Sequence, residues 1–165
     1  MRHTSDESAA ALPDASDLRV ALVVARFNAD VTSRLRDGAL EALAVAGAAP
    51  DAVETVEAPG AFEVPFAARA LAATGRFDAI VCLGCLIRGD TPHFDFIASA
   101  VTHGIEAAAR ETGVPMAFGV LTTNTLEQAL ERAAMDRTNK GWEAAAAAVE
   151  MARLVRRLAQ KGDRS

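Results

Sequence analysis

Arg88, Asp90, Thr91 and His93 fall within the run R-G-D-T-P-H at 88–93, setting a guanidinium, a carboxylate, a hydroxyl and an imidazole side by side. Thr91 stands where a helix N-cap belongs, with Pro92 at the first helical position. His93 then takes the second helical position, where backbone N–H groups still lack partners. Such a place suits an anionic substrate and a proton transfer. The positive end of a helix also disfavours an imidazolium, which leaves the ring able to accept a proton. The plainer alternative is a capping or surface histidine. His3, near the start of the chain, and His103, within a helical stretch, offer His93 no partner. No evident set of three or four ligands would hold zinc.

Other chemistry-bearing residues stand where strands give way to helices. Phe27, in the polar segment R-F-N at 26–28, could stack on a flat heterocycle or make an ordinary core contact. Glu63 opens a helix, so its carboxylate either complements the helix dipole or accepts hydrogen bonds from a substrate's N–H groups. Arg132 and Lys140 flank a break between helices and could share a phosphate, Arg as a planar fork and Lys as a point charge. The alternative for this pair is a solvated surface. Cys82 and Cys85 form a C-x-x-C, but both lie inside an apolar run well before the next helix start. A reactive dithiol needs a cysteine at the helix N-terminus, so two small residues in a buried strand are the better reading. Neither a Walker loop nor a G-x-G-x-x-G is present to anchor a nucleotide.

The elements that position these residues alternate in type. Residues 18–24 (L-R-V-A-L-V-V) read as a strand covered on both faces. A helix follows with Val31, Leu35, Ala39 and Leu43 at helical spacing and Gly47 just past its end. Residues 53–58 form a weaker strand closed by Pro59-Gly60, and residues 61–65 open a second helix that reaches Gly75. Pro65 is acceptable there only within the first turn. The run from Ile80 is a central strand leading to the His93 helix, which ends near Gly113; residues 114–122 are the fourth strand. Asn124 and Thr125 each have Glu or Gln three residues on, a capping-box pattern for the next helix. That helix breaks around 138–141, and residues 142–160 form a last amphipathic helix. The order β-α-β-α-β-α-β-α-α predicts an α/β three-layer sandwich, flavodoxin-like, with a four-stranded parallel sheet flanked by helices on both faces. Ligands of such sheets bind beyond the carboxyl ends of the strands, which is where the residues above fall.

A chain of 165 residues is most naturally one domain. Residues 1–17 read as a flexible N-terminal arm, 18–160 as the domain and 161–165 as a polar tail. A net charge of -5 and a pI near 5.2 argue against nucleic acid as a partner, since no basic face is available. No apolar run approaches the roughly 20 residues of a membrane helix. The polar, acidic first residues lack a signal-peptide pattern, so a cytoplasmic protein without membrane partners is expected.

Five stretches of the sequence together resemble the 6,7-dimethyl-8-ribityllumazine synthase family: F-N at 27–28, P-G-A-F-E-V-P at 59–65, G-C-L-I-R-G-D-T-P-H-F-D-F at 84–96, F-G-V-L-T-T-N-T-L-E-Q-A at 118–129 and N-K-G-W-E-A-A at 139–145. The match runs in order from about residue 18 to 158. The resemblance implies the penultimate step of riboflavin biosynthesis. In that step 5-amino-6-(D-ribitylamino)uracil condenses with 3,4-dihydroxy-2-butanone 4-phosphate, releasing phosphate and water. It implies that Phe27 stacks on the pyrimidine and that Ala61, Phe62, Glu63, Cys85, Leu86 and Ile87 bind the uracil and ribityl groups, largely through backbone. Asp90 and Thr91 would meet the butanone phosphate, Arg132 and Lys140 would pair with its phosphate, and His93 would move protons. Phe118 would come from a neighbouring subunit, so active sites would lie between subunits of a pentamer, with riboflavin synthase as a further partner. No metal or redox cofactor is implied, because imine formation, phosphate elimination and ring closure need none. Residues 96–101 lack the family's Asn-Glu pair, and A-M-D-R-T at 134–138 replaces a more glycine-rich turn. The short Arg132–Lys140 spacing is typical of capsid formers, so pentamer, decamer and 60-subunit shell all stay open. Rival readings are a non-catalytic lumazine or riboflavin binder and an FMN-binding electron carrier. The latter lacks tyrosine and a phosphate loop after the first strand.

Overall fold

The structure is a computed structural model that describes residues 11–162. Four parallel strands, β1 (Val20–Ala25), β2 (Val53–Ala58), β3 (Ala79–Ile87) and β4 (Met116–Thr123), form one sheet in the order β2-β1-β3-β4. Among the described residues five α-helices connect or follow them: α1 (Ala29–Val45), α2 (Val64–Ala73), α3 (His93–Thr112), α4 (Leu126–Arg132) and α5 (Lys140–Gly162). The layering, the strand order and the parallel pairing are those expected of a flavodoxin-like sandwich.

Side chains of a strand alternate between faces, and that alternation builds two cores. Val20, Leu22 and Val24 of β1, with Val81 and Leu83 of β3, face α1 and α5, where they meet Leu35, Leu43, Ala145 and Val149. Ala21 and Val23, with Ile80 and Cys82, face α2 and α3, where they meet Val64, Ala68, Val101 and Ile105. β1 is buried along its whole length, which explains its unbroken apolar run, whereas the edge strand β2 keeps Thr55 and Glu57 in solvent. Each fully buried leucine or isoleucine in these layers contributes about 1.5–3 kcal/mol.

Helix ends follow the expected chemistry in most places. α1 closes on Gly47 (φ 90), α2 on Gly75 (φ 72) and α3 on Gly113 (φ 70), positions where a residue with a Cβ would be strained. Thr125 caps α4, its Oγ1 accepting from Gln128 N at 3.1 Å, while Gln128 Oε1 accepts from Asn124 N at 2.9 Å.

Four local expectations need correction. Thr91 does not cap α3: Pro92 takes that place, its carbonyl accepting from Asp95 N at 3.1 Å, and His93 becomes the first helical residue. A proline loses nothing there, because the amide it lacks would have had no partner. The break between the last two helices comes earlier, over 133–139, because Asn139 rather than a residue near Trp142 caps α5. Of the arm over 1–17, residues 1–10 lie outside the described residues. Within residues 11–17, Ala15 is fully buried in the core, and Asp17 pairs with Arg153 and Arg156. At the other end α5 continues through Gly162; residues 163–165 of the tail are outside the described residues.

Candidate active site

β1 ends at Ala25, and two backbone hydrogen bonds carry its pairing onward: Arg26 N to Ala58 O at 2.8 Å and Phe27 N to Pro59 O at 3.1 Å. Asn28 follows in the left-handed region (φ 64, ψ 47), a conformation asparagine tolerates better than most residues. Its Nδ2 donates to Cys85 O at 2.8 Å, tying the end of β1 to β3. The backbone of Phe27 is thus fixed on both sides while its ring is 70% exposed, so it is no core contact.

After β2 a 3₁₀ turn, Ala61–Glu63, closes with Glu63 N donating to Gly60 O at 3.2 Å. Ala61 is buried beneath it, and Phe62 and Glu63 are exposed. Glu63 makes no side-chain cap bond to α2. At the end of β3, Arg88 N donates to Thr123 O at 2.8 Å. The Arg88 guanidinium bonds Asn124 Oδ1 at 3.1 Å and Asp95 at 3.2 Å, and lies 4.4 Å over the Phe94 ring. Arg88 therefore clamps the start of α3 to the end of β4 rather than standing free for an anion.

These segments enclose a cleft of about 420 Å³ at the carboxyl end of the sheet. Phe27, Ala61, Phe62, Glu63, Leu86, Ile87, Thr91 and His93 all line it. It has the apolar walls and few polar groups of a small-molecule site. Asn28, Phe94 and Ile97 also line it and were not singled out from the sequence. Ile97 was accessible to reasoning, being one helical turn from His93; Asn28 was hidden because its left-handed backbone leaves no mark beyond residue type.

The remaining candidates lie elsewhere. Phe118, Arg132 and Lys140 line a second cleft of about 390 Å³ between β4 and α5, together with Glu143. Arg132 donates to Gln128 O in its own helix at 3.1 Å, and Lys140 Nζ lies 2.7 Å from Glu143. Asp90 is exposed in the loop and lines neither cleft. Cys85 is buried, with its side chain in the α1/α5 core and its carbonyl already bonded by Asn28, so of residues 85–87 only Leu86 and Ile87 face the cleft. Burial pushes the Cys82 thiol up to about 12 and the Cys85 thiol up to about 11, the reverse of what a redox dithiol requires. Among the described residues no helix is long and apolar enough to cross a membrane.

A flavodoxin-like sheet with an apolar cleft at the carboxyl end of its strands, rimmed by His93 at the start of α3, is the arrangement of an α/β protein with a small-molecule site. The chain belongs to the 6,7-dimethyl-8-ribityllumazine synthase family, whose profile matches residues 17–156. A 6,7-dimethyl-8-ribityllumazine synthase of Syntrophus aciditrophicus (strain SB) is 49% identical over 144 residues, covering 87% of this chain and 94% of that protein. Membership makes the chain a transferase of riboflavin biosynthesis.

Proposed function

We propose that the chain condenses 5-amino-6-(D-ribitylamino)uracil with 3,4-dihydroxy-2-butanone 4-phosphate at sites completed by two subunits. The observation that carries this reading is the division of the candidate residues between two clefts of one chain. The cleft with Phe27, Glu63 and His93 offers a stacking surface, a hydrogen-bonding carboxylate and a proton carrier, but no lysine or arginine lines it. The cleft with Phe118, Arg132 and Lys140 offers cations for a phosphate and an exposed aromatic ring, but no imidazole. Either half lacks what the reaction needs, and juxtaposing them across a subunit boundary supplies it.

The uracil's ring stacks on Phe27, with its N–H groups toward Glu63 and Leu86-Ile87 at its edge. Asp90 and Thr91 meet the butanone from the α3 side, and Arg132 and Lys140 of the neighbour hold the phosphate. The amine adds to the ketone and water leaves, giving an imine. Loss of a proton and of phosphate follows, and ring closure with loss of a second water gives the lumazine. His93 takes up and returns the protons. Holding two substrates together supplies up to about 7–11 kcal/mol, and a positioned proton carrier about 10²–10⁴-fold.

Assembly into pentamers is part of this reading. It is supported by Phe66 on α2 and Phe96 on α3, 81% and 73% exposed on neighbouring helices, a large apolar display for an isolated chain. Riboflavin synthase, which consumes the lumazine, is the partner the reading names. A cytoplasmic setting accords with two free thiols. The test is to mix purified protein with both substrates and follow the lumazine's absorbance together with phosphate release. Acceleration over the spontaneous reaction is expected; none, or flavin co-purifying in quantity without turnover, would overturn the enzyme reading in favour of a binder.

A further inference from the structure

We infer that Asn139 is a positioning residue for the reaction, setting the separation and direction of Arg132 and Lys140. The inference rests on the reading above that these two cations hold the substrate's phosphate.

Neither cation is held in place by a buried contact of its own. Arg132 is exposed and bonds a carbonyl of its own helix, and Lys140 bonds Glu143 on the next turn. Their placement therefore follows the backbone that joins α4 to α5. Asp136 shapes it locally by accepting from Thr138 N at 2.7 Å, and a buried side chain ties it to the rest of the fold. Asn139 is fully buried, and its amide uses all four of its hydrogen-bonding positions. Nδ2 donates to Ala134 O at 2.9 Å, two residues beyond Arg132, and to Arg34 O on α1 at 3.1 Å. Oδ1 accepts from Gly141 N at 2.8 Å and Trp142 N at 3.2 Å, one residue beyond Lys140 and the next. A single planar group thus joins the end of α4, the start of α5 and the middle of α1.

The space for this amide is built by glycine. A Cβ at Gly38 would stand 2.3 Å from Asn139 Oδ1, and one at Gly141 would stand 1.9 Å from Leu35 O. Loosening the amide frees the link between the two cations without touching the cleft that holds Phe27 and His93.

The test is steady-state kinetics of assembled Asn139→Ser, with both substrates varied. Serine can still cap α5 but cannot reach Ala134 and Arg34 with two donors. The KM for the butanone phosphate is expected to rise about tenfold, with competitive inhibition by inorganic phosphate weakened to a similar degree and the KM for the ribitylaminouracil changed less than about twofold. Equal rises in both KM values, or an unchanged KM for the butanone phosphate, would overturn the inference. Lys140→Met is measured alongside: if it leaves the butanone phosphate KM unchanged, the phosphate-binding reading itself has failed. If it raises that KM while Asn139→Ser does not, only the role of Asn139 has. Should Asn139→Ser not assemble, Gly38→Ala, which displaces the amide from a distance in sequence, is judged by the same KM split.

Discussion

His93 and Phe27 divide the work at the scale of single residues. His93 sits on an exposed helix start, and Phe27 presents an exposed ring on a backbone pinned by Pro59 and by Asn28. If proximity supplies most of the rate, His93→Ala should lower kcat about 10²–10⁴-fold yet stay above the spontaneous reaction. Complete loss of turnover in an assembled mutant would contradict that division. Phe27→Ala should raise the KM for the ribitylaminouracil several-fold, since offset stacking contributes about 0.5–1.5 kcal/mol beyond buried area. The buried thiols give a pH prediction. Cys82 ionises near 9.0 when exposed and near about 12 in the fold, so across that window the unfolded chain releases a proton that the native one keeps. Stability is therefore unaffected by this group below pH 9 and falls as pH rises toward 12. Denaturant midpoints measured over that range should decline, and Cys82→Ala should flatten the decline. Residue types marked Phe27, Glu63 and His93 as candidates in the sequence, and all three line one cleft. Arg88 was legible only as a cation, because its engagement by Phe94, Asp95 and Asn124 depends on residues that the fold brings together.

At the scale of elements, the alternation of strand and helix was readable because each strand's apolar run and each closing glycine carries a local signal. What escaped was non-local. Asn139 caps α5 and bonds Arg34 O, 105 positions away, so its burial could not be inferred from its neighbours in the chain. Thr91 carried a convincing cap signature, yet Pro92 one residue on took the position. The close approach of α1 to α5 gives the sharpest prediction here. Gly141→Ala places a methyl group into the Leu35 carbonyl, so it should cost about 1–3 kcal/mol or more although alanine favours helices by about 1 kcal/mol. A raised melting temperature for Gly141→Ala would show that the two helices can separate freely.

For the whole molecule, the sheet orders two separate clefts, which the proposed function reads as halves of one site. The resemblance already brought Phe118 from a neighbouring subunit but made no such division for Arg132, and the fold lines Phe118 and Arg132 along one cleft and His93 along another. The central claim, that a functional site takes His93 from one subunit and Arg132 from the next, is tested most directly by co-assembling His93→Ala with Arg132→Ala chains. In a closed ring mixed at random, about a quarter of the sites should pair an intact His93 with an intact Arg132. Activity near that fraction of the native oligomer is expected, well above either mutant alone. Activity no greater than the average of the two mutants, in oligomers shown to be mixed, would contradict it.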